Sequence, residues 1–213
     1  MKVKFKLAAD SKVMKKFLLS IFLLLFTCSV SAQNQVADND NSATKKLAAE
    51  SKKEVEEYVT RLATNPKDAA AYSNQAEINL ELKNYKEAIA DYNLAIKYNS
   101  LDIDAYYNRG LARIIIGDYG GASADMSAVI KAKPQDADAF FNRALAKMNM
   151  YNARAAIQDF DIVLEIDAHY IEAYYYRGLM KLQTRNNKGA CQDWQKAATY
   201  DERAANMLKK HCQ

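Results

Sequence analysis

Apolar positions along this chain fall into two kinds of pattern. From Phe17 to Phe26 they are almost continuous, whereas from residue 45 onward they come in short stripes broken by polar residues. Val55, Tyr58, Val59 and Leu62 stand at i, i+3, i+4 and i+7, which predicts an amphipathic helix over 45–64. Asn65-Pro66 ends it, because a residue before proline avoids the α conformation. Beyond it the stripes continue in pairs, and the whole chain holds only six glycines and two prolines. So few breakers over 213 residues predict an all-α fold.

The pairs repeat. "AYYNRGLA" at 105–112 returns thirty-four residues later as "AFFNRALA" and after thirty-four more as "AYYYRGLM"; thirty-four earlier stands "AYSNQAEI". In register the chain divides without gaps into 69–102, 103–136, 137–170 and 171–204. The first helix of each unit carries an aromatic at its fourth place (Tyr72, Tyr106, Phe140, Tyr174) and a small residue four on (Ala76, Gly110, Ala144, Gly178). The second carries Ala88, Ala122, Ala156 and Ala190, then Tyr92, Met126, Phe160 and Trp194 four later. Small residues let two backbones approach and large ones fill the gaps beside them. A two-helix unit cannot bury both of its faces alone, so stacked units must share a continuous core.

This register resembles the tetratricopeptide repeat (TPR) family, most closely at "NRGLARIIIGDYGGA" (108–122), which is followed by Pro134. The resemblance implies a TPR solenoid of antiparallel helix pairs over 69–204, with 45–68 as a leading helix or half-repeat and 203–213 as a cap helix and C-terminus. The tail from Gly189 to Cys212 is similar to the ends of short exported bacterial members. The family also implies a concave groove lined by the first helices. Carried over residue by residue, that groove takes in Asn74, Tyr107, Asn108, Leu111, Phe141, Asn142, Leu145, Tyr175 and Leu179. Asparagine amides both donate and accept, so a ladder of them suits the backbone of an extended peptide. For the aromatics two readings stand open, groove surface or packing between helices. The basic clamp with which some members hold a C-terminal carboxylate is missing from these faces. The partner implied is a protein or peptide held by an adaptor or scaffold. The alternative is a structural part of an envelope assembly, docked through its convex face or the leading helix.

The seventh place, usually leucine in the family, holds Gln75, Arg109, Arg143 and Arg177. Asp91, Asp125, Asp159 and Asp193 recur at one place in each second helix. Two series in strict register predict charge-assisted pairs in a half-buried seam, either within a unit or between neighbours. Gly110 and Gly178 are read as structural, at the helix contact.

Charge and cysteine usage then bear on location. "MKKFLLSIFLLLFTCSVSAQ" from Met14 has the basic start, apolar core and small-residue cleavage site of a signal peptide ending at Ala32. Its apolar core is short of the ~20 residues a spanning helix needs. The thirteen residues before Met14 add nothing to that layout, and Met14 is read as the start. A lipoprotein leader with Cys28 is the rival reading, with bulky Phe26 and Thr27 against it. The polar stretch 33–44 reads as a tether. Without the leader the chain has 24 basic and 25 acidic residues, a net of −1, which removes any nucleic-acid footprint. The expected location is the periplasm or the outer membrane's surroundings. Cys191 and Cys212 are then the only cysteines, and their spacing about a turn near 201 predicts a disulfide. The two histidines, His169 and His211, sit in no metal-ligand spacing, and no nucleophile, base and orienting group occur together. The chain reads as a non-enzyme without metal, cofactor or small-molecule substrate.

Overall fold

The computed structural model describes residues 53, 54 and 56 to 212. The leader, the tether and the start of the leading helix lie outside them. Among the described residues there is no strand, and no helix is long and apolar enough to cross a membrane. The leading helix runs through 56–64. It is followed by α1 (Ala69–Glu81), α2 (Tyr85–Tyr98), α3 (Ile103–Ile116), α4 (Tyr119–Ala132), α5 (Ala137–Asn149), α6 (Ala153–Ile166), α7 (Ile171–Gln183), α8 (Asn187–Ala197) and α9 (Glu202–His211).

Local chemistry explains where these helices begin and end. Asp68, Asp118, Asp136, Asn152 and Asn186 each cap a helix by accepting from the backbone N–H three residues on. Each first helix ends in a left-handed residue, at Lys83, Gly117, Tyr151 and Arg185, with φ between 59° and 85°. The N–H of the following residue reaches back to a carbonyl in the last turn, as from Asp118 to Arg113 at 2.8 Å and from Asn152 to Lys147 at 2.9 Å. This is the Schellman closure, for which glycine is the cheapest residue. Gly117 meets that requirement without strain, while three larger residues meet it with a Cβ.

The chain forms two compact units, one ending at Ala105 and the other starting at Tyr106, inside α3. In the first unit α1 packs along α2 around Ala71, Ala76, Ile78, Ala88, Tyr92 and Ala95, all buried. Tyr72 and Tyr98 stack there at 5.9 Å. Arg61 of the leading helix binds Asp68 at 2.8 Å.

In the second unit α4 packs on α5, α5 on α6, α6 on α7, α7 on α8 and α8 on α9. Met126, Phe160 and Trp194, the large members of the repeat pattern, are wholly buried, Met126 against Gly110 and Trp194 against Gly178 of the preceding helix. The core around Phe140, Ala144, Phe160, Val163, Ala190 and Trp194 continues to Ala204, Met207 and Leu208 of α9. The sulfurs of Cys191 and Cys212 are bonded, closing a 21-residue separation and holding the end of α9 on α8.

Candidate functional site

The repeated arginines and aspartates meet. In the second unit Arg109, Arg143 and Arg177 each fork onto the aspartate of their own repeat. Their Nε donates to Asp125, Asp159 and Asp193 at 2.9–3.0 Å, with Nη2 on the other carboxylate oxygen. Each guanidinium also lies over the ring at the fourth place, at 5.3 Å from Tyr106, 5.3 Å from Phe140 and 5.5 Å from Tyr174. A fork matches a carboxylate in two bonds, and the ring covers its flat face. The remaining nitrogen of Arg143 reaches Ser127 at 3.1 Å and that of Arg177 reaches Asp161 at 2.7 Å, so the seam also ties one repeat to the one before.

A second cation completes each cluster: Arg113, Lys147 and Lys181 lie 2.7–2.9 Å from the same aspartates. Sequence reasoning missed these three, although a basic residue recurs at the eleventh place of each of these repeats. The carboxylates are 3% exposed, so each buried charge faces two cations. A cavity of about 440 Å³ beside Arg177, Lys181, Asp193 and Lys196 continues this seam. Its arginine and Lys181 are already committed to Asp193.

The first unit departs from this scheme. Gln75 and Asn79 stand where the other repeats carry cations, and Asp91 accepts only an amide hydrogen bond from Asn79, at 2.9 Å, among the bonds resolved there. Burial holds its carboxyl above the usual range, with Asn79 opposing and Glu87 adding to the shift. At the ninth place, where the other repeats have leucine, stands Glu77. Burial and the neighbouring Glu81, Asp102 and Asp104 push its carboxyl up to about 7.

The predicted groove residues divide. Tyr107, Asn108, Leu111, Phe141, Asn142 and Leu145 are all buried, at 0–6% exposure. These six therefore correct the reading of an open, amide-lined ladder. Packing uses them: Phe141 meets the rings of Tyr170 at 4.9 Å, Phe160 at 5.7 Å and Tyr176 at 5.8 Å. Asn142 Nδ2 donates to the Tyr107 hydroxyl at 3.1 Å, inside the protein. Burial first, then Asp138 and Asp136, push that phenol well above its ordinary value. Asn74 in the first unit, and Tyr175 and Leu179 in the second, stay half-buried.

The face of α5 and α7 that remains accessible carries Met148, Tyr175, Leu179 and Leu182, partly buried against the core. Asp138 and Glu172 stand at the start of the same two helices, also half-exposed. Tyr175 is held in place, since Arg203 lies 4.4 Å over its ring and its carbonyl accepts from the Trp194 indole at 3.2 Å. Among the described residues no group of three His, Cys, Asp or Glu is placed to hold a metal ion.

Comparison with known proteins puts this geometry in a family. Two family models described as tetratricopeptide repeat match residues 50–104 and 103–136. Helix pairs of the same design continue through residue 197. The chain is a tetratricopeptide repeat protein. No curated protein matches this TPR chain by sequence. Among solved structures it is similar to MamA 41-end from Desulfovibrio magneticus RS-1, at 18% identity, 79% of this chain, 96% of that one and a TM-score of 0.67. It is also similar to YrrB, described as a TPR protein with an unusual peptide-binding site, at 20% identity, 80% and 88% coverage and a TM-score of 0.71. The first TPR of Spaghetti (RPAP3) bound to HSP90 peptide SRMEEVD matches at 18% identity, 55% and 93% coverage and a TM-score of 0.52. At such identities these likenesses concern the fold.

Proposed function

We propose that this TPR protein is a protein-interaction module that holds an extended partner segment along the face of α5 and α7. The carrying observation is the row of half-exposed Met148, Tyr175, Leu179 and Leu182 with Asp138 and Glu172 at its end. Apolar anchors supply contact area, and fixed carboxylates favour a segment with basic residues beside its apolar ones. The peptide named for the RPAP3 domain and the peptide-binding site named for YrrB support this use of the fold. The face lacks the lysines that would receive a terminal carboxylate, so a C-terminal acidic tail is not the expected ligand.

A displayed random-peptide library selected on the protein tests this reading, with affinity then measured by fluorescence polarisation. Selected segments should combine apolar and basic residues. Met148→Lys together with Leu179→Lys should weaken them more than tenfold while the melting transition stays in place. A library that yields no binder, or affinity indifferent to both lysines, would overturn the groove.

The same protein is read as exported to the cell envelope, supported by the leader pattern before Gln33 and by a Cys191–Cys212 bond suited to an oxidising compartment. Its mature N-terminus in the native host should be Gln33 or pyroglutamate. A lipid on Cys28 would replace the free form with an anchored one.

A further inference from the structure

The turns that follow the first helices are unlike the rest of the surface. In the second unit the helices from α4 on pack each on the next, and α3 meets α4 head to tail, Arg109 on Asp125 and Arg113 on Gly121, so the turns after α3, α5 and α7 share one edge. Large apolar groups stand out there: Ile116 is 43% exposed, Met150 42% and Tyr151 87%. Tyr151 is also the left-handed residue of its turn, at φ 59°, a place that glycine or asparagine occupies more easily.

Cations surround these groups. Arg154, Arg185 and Lys188 are exposed on the same turns, and none takes part in a resolved ion pair. The one acid on those turns, Asp118, lies 3.3 Å from Arg113 and caps α4. The turns at the other ends of these helices carry more acids than cations, with Asp136, Asp167 and Asp201 against Lys133. The first unit repeats the combination in its own turn, where Leu82 is 43% exposed beside exposed Lys83 and Lys86.

We propose that this edge of the second unit docks on an anionic membrane surface. Tyr151, Met150 and Ile116 enter the interfacial layer, and Arg154, Arg185 and Lys188 meet the lipid phosphates. Protruding apolar tips ringed by unpaired cations suit a headgroup layer, where tyrosine is at home and each cation adds to the attraction. The complementarity is specific to this edge, because on the opposite turns acids outnumber cations. The inference rests on the turns alone and is independent of the peptide groove.

Vesicle sedimentation tests it, using the chain from Gln33 onward, which keeps every described helix. The protein should pellet with vesicles containing phosphatidylglycerol and much less with phosphatidylcholine alone, and raising the salt should release it. Arg154→Gln, Arg185→Asn and Lys188→Gln together should lower partitioning roughly 100-fold, at about tenfold or less per cation. Met150→Ser with Tyr151→Asn should lower it roughly tenfold through lost apolar insertion, and asparagine suits the left-handed turn. Helicity by circular dichroism checks each variant, and the salt dependence of the parent needs no variant at all. Failure of the parent to pellet with anionic vesicles overturns the proposal. So does a triple variant that binds like the parent, or salt-sensitive self-association of the parent in place of vesicle binding.

Discussion

Gly178→Ala is the sharpest test of the packing. Gly178 and Gly110 hold the same place in repeats four and two, yet a methyl meets different neighbours at each. At Gly178 it would stand 2.8 Å from Cδ1 and 2.9 Å from Cε2 of Trp194, closer than carbon atoms approach. Trp194 is wholly buried, and its indole N–H is bonded to the Tyr175 carbonyl at 3.2 Å, so the ring has nowhere to retreat. At Gly110 the near atom is the terminal methyl of Met126 at 2.6 Å, carried on three rotatable bonds, and next comes Asp125 Cβ at 3.2 Å. Both substitutions gain about 1 kcal/mol of helix propensity, so their difference isolates the clash. Overpacking against a rigid group costs about 1–3 kcal/mol. Gly110→Ala should therefore be neutral or stabilising by up to ~1 kcal/mol, with Gly178→Ala about 1–3 kcal/mol below it. Urea unfolding followed by circular dichroism and by the fluorescence of the single tryptophan reads both. In a Trp194→Phe background, followed by circular dichroism alone, Gly178→Ala should become nearly harmless, and the cycle gives the coupling directly. Equal effects of the two alanines, or an undiminished cost of Gly178→Ala in that background, would refute the reasoning.

Tyr151→Gly should stabilise by about 0.5–1 kcal/mol in thermal or urea unfolding, because relief of the left-handed strain outweighs the added freedom of the unfolded chain. Reduction of the Cys191–Cys212 bond, or Cys191→Ser, should lower stability by about 3 kcal/mol for a loop of this length and speed amide exchange in α9 before α7. Glu77 has a folded carboxyl pushed up to about 7 from an ordinary value of 4.5, so the folded state holds its proton more tightly than the unfolded one. Its contribution is fullest below about 4.5, fades as pH rises and is lost above about 7. Glu77→Gln should therefore flatten the fall in protection of α1 between pH 5 and 8, measured by hydrogen exchange, and a fall that persists in the variant would clear Glu77 of responsibility.

Periodicity alone determined a good deal here. A thirty-four-residue interval with matched small and large places already specifies paired helices, their turns and the facing of Gly110, Gly178, Phe160 and Trp194, because contact within a pair depends on residues close in sequence. It also brought the arginine and aspartate series to light. Tertiary structure decided the rest. It seated each arginine on the aspartate of its own repeat, added Arg113, Lys147 and Lys181, and sent a further arm back to Ser127 and Asp161. It also buried Asn108 and Asn142, which the repeat register assigns to an open face. A repeat register states the direction in which a side chain points. Whether that direction ends in water or in protein depends on the neighbouring repeat, which comes from another stretch of the chain. The same limit hid the acidic neighbourhood of Glu77, where Asp102 and Asp104 arrive from beyond the second helix and alter a carboxyl that looks ordinary in its own helix.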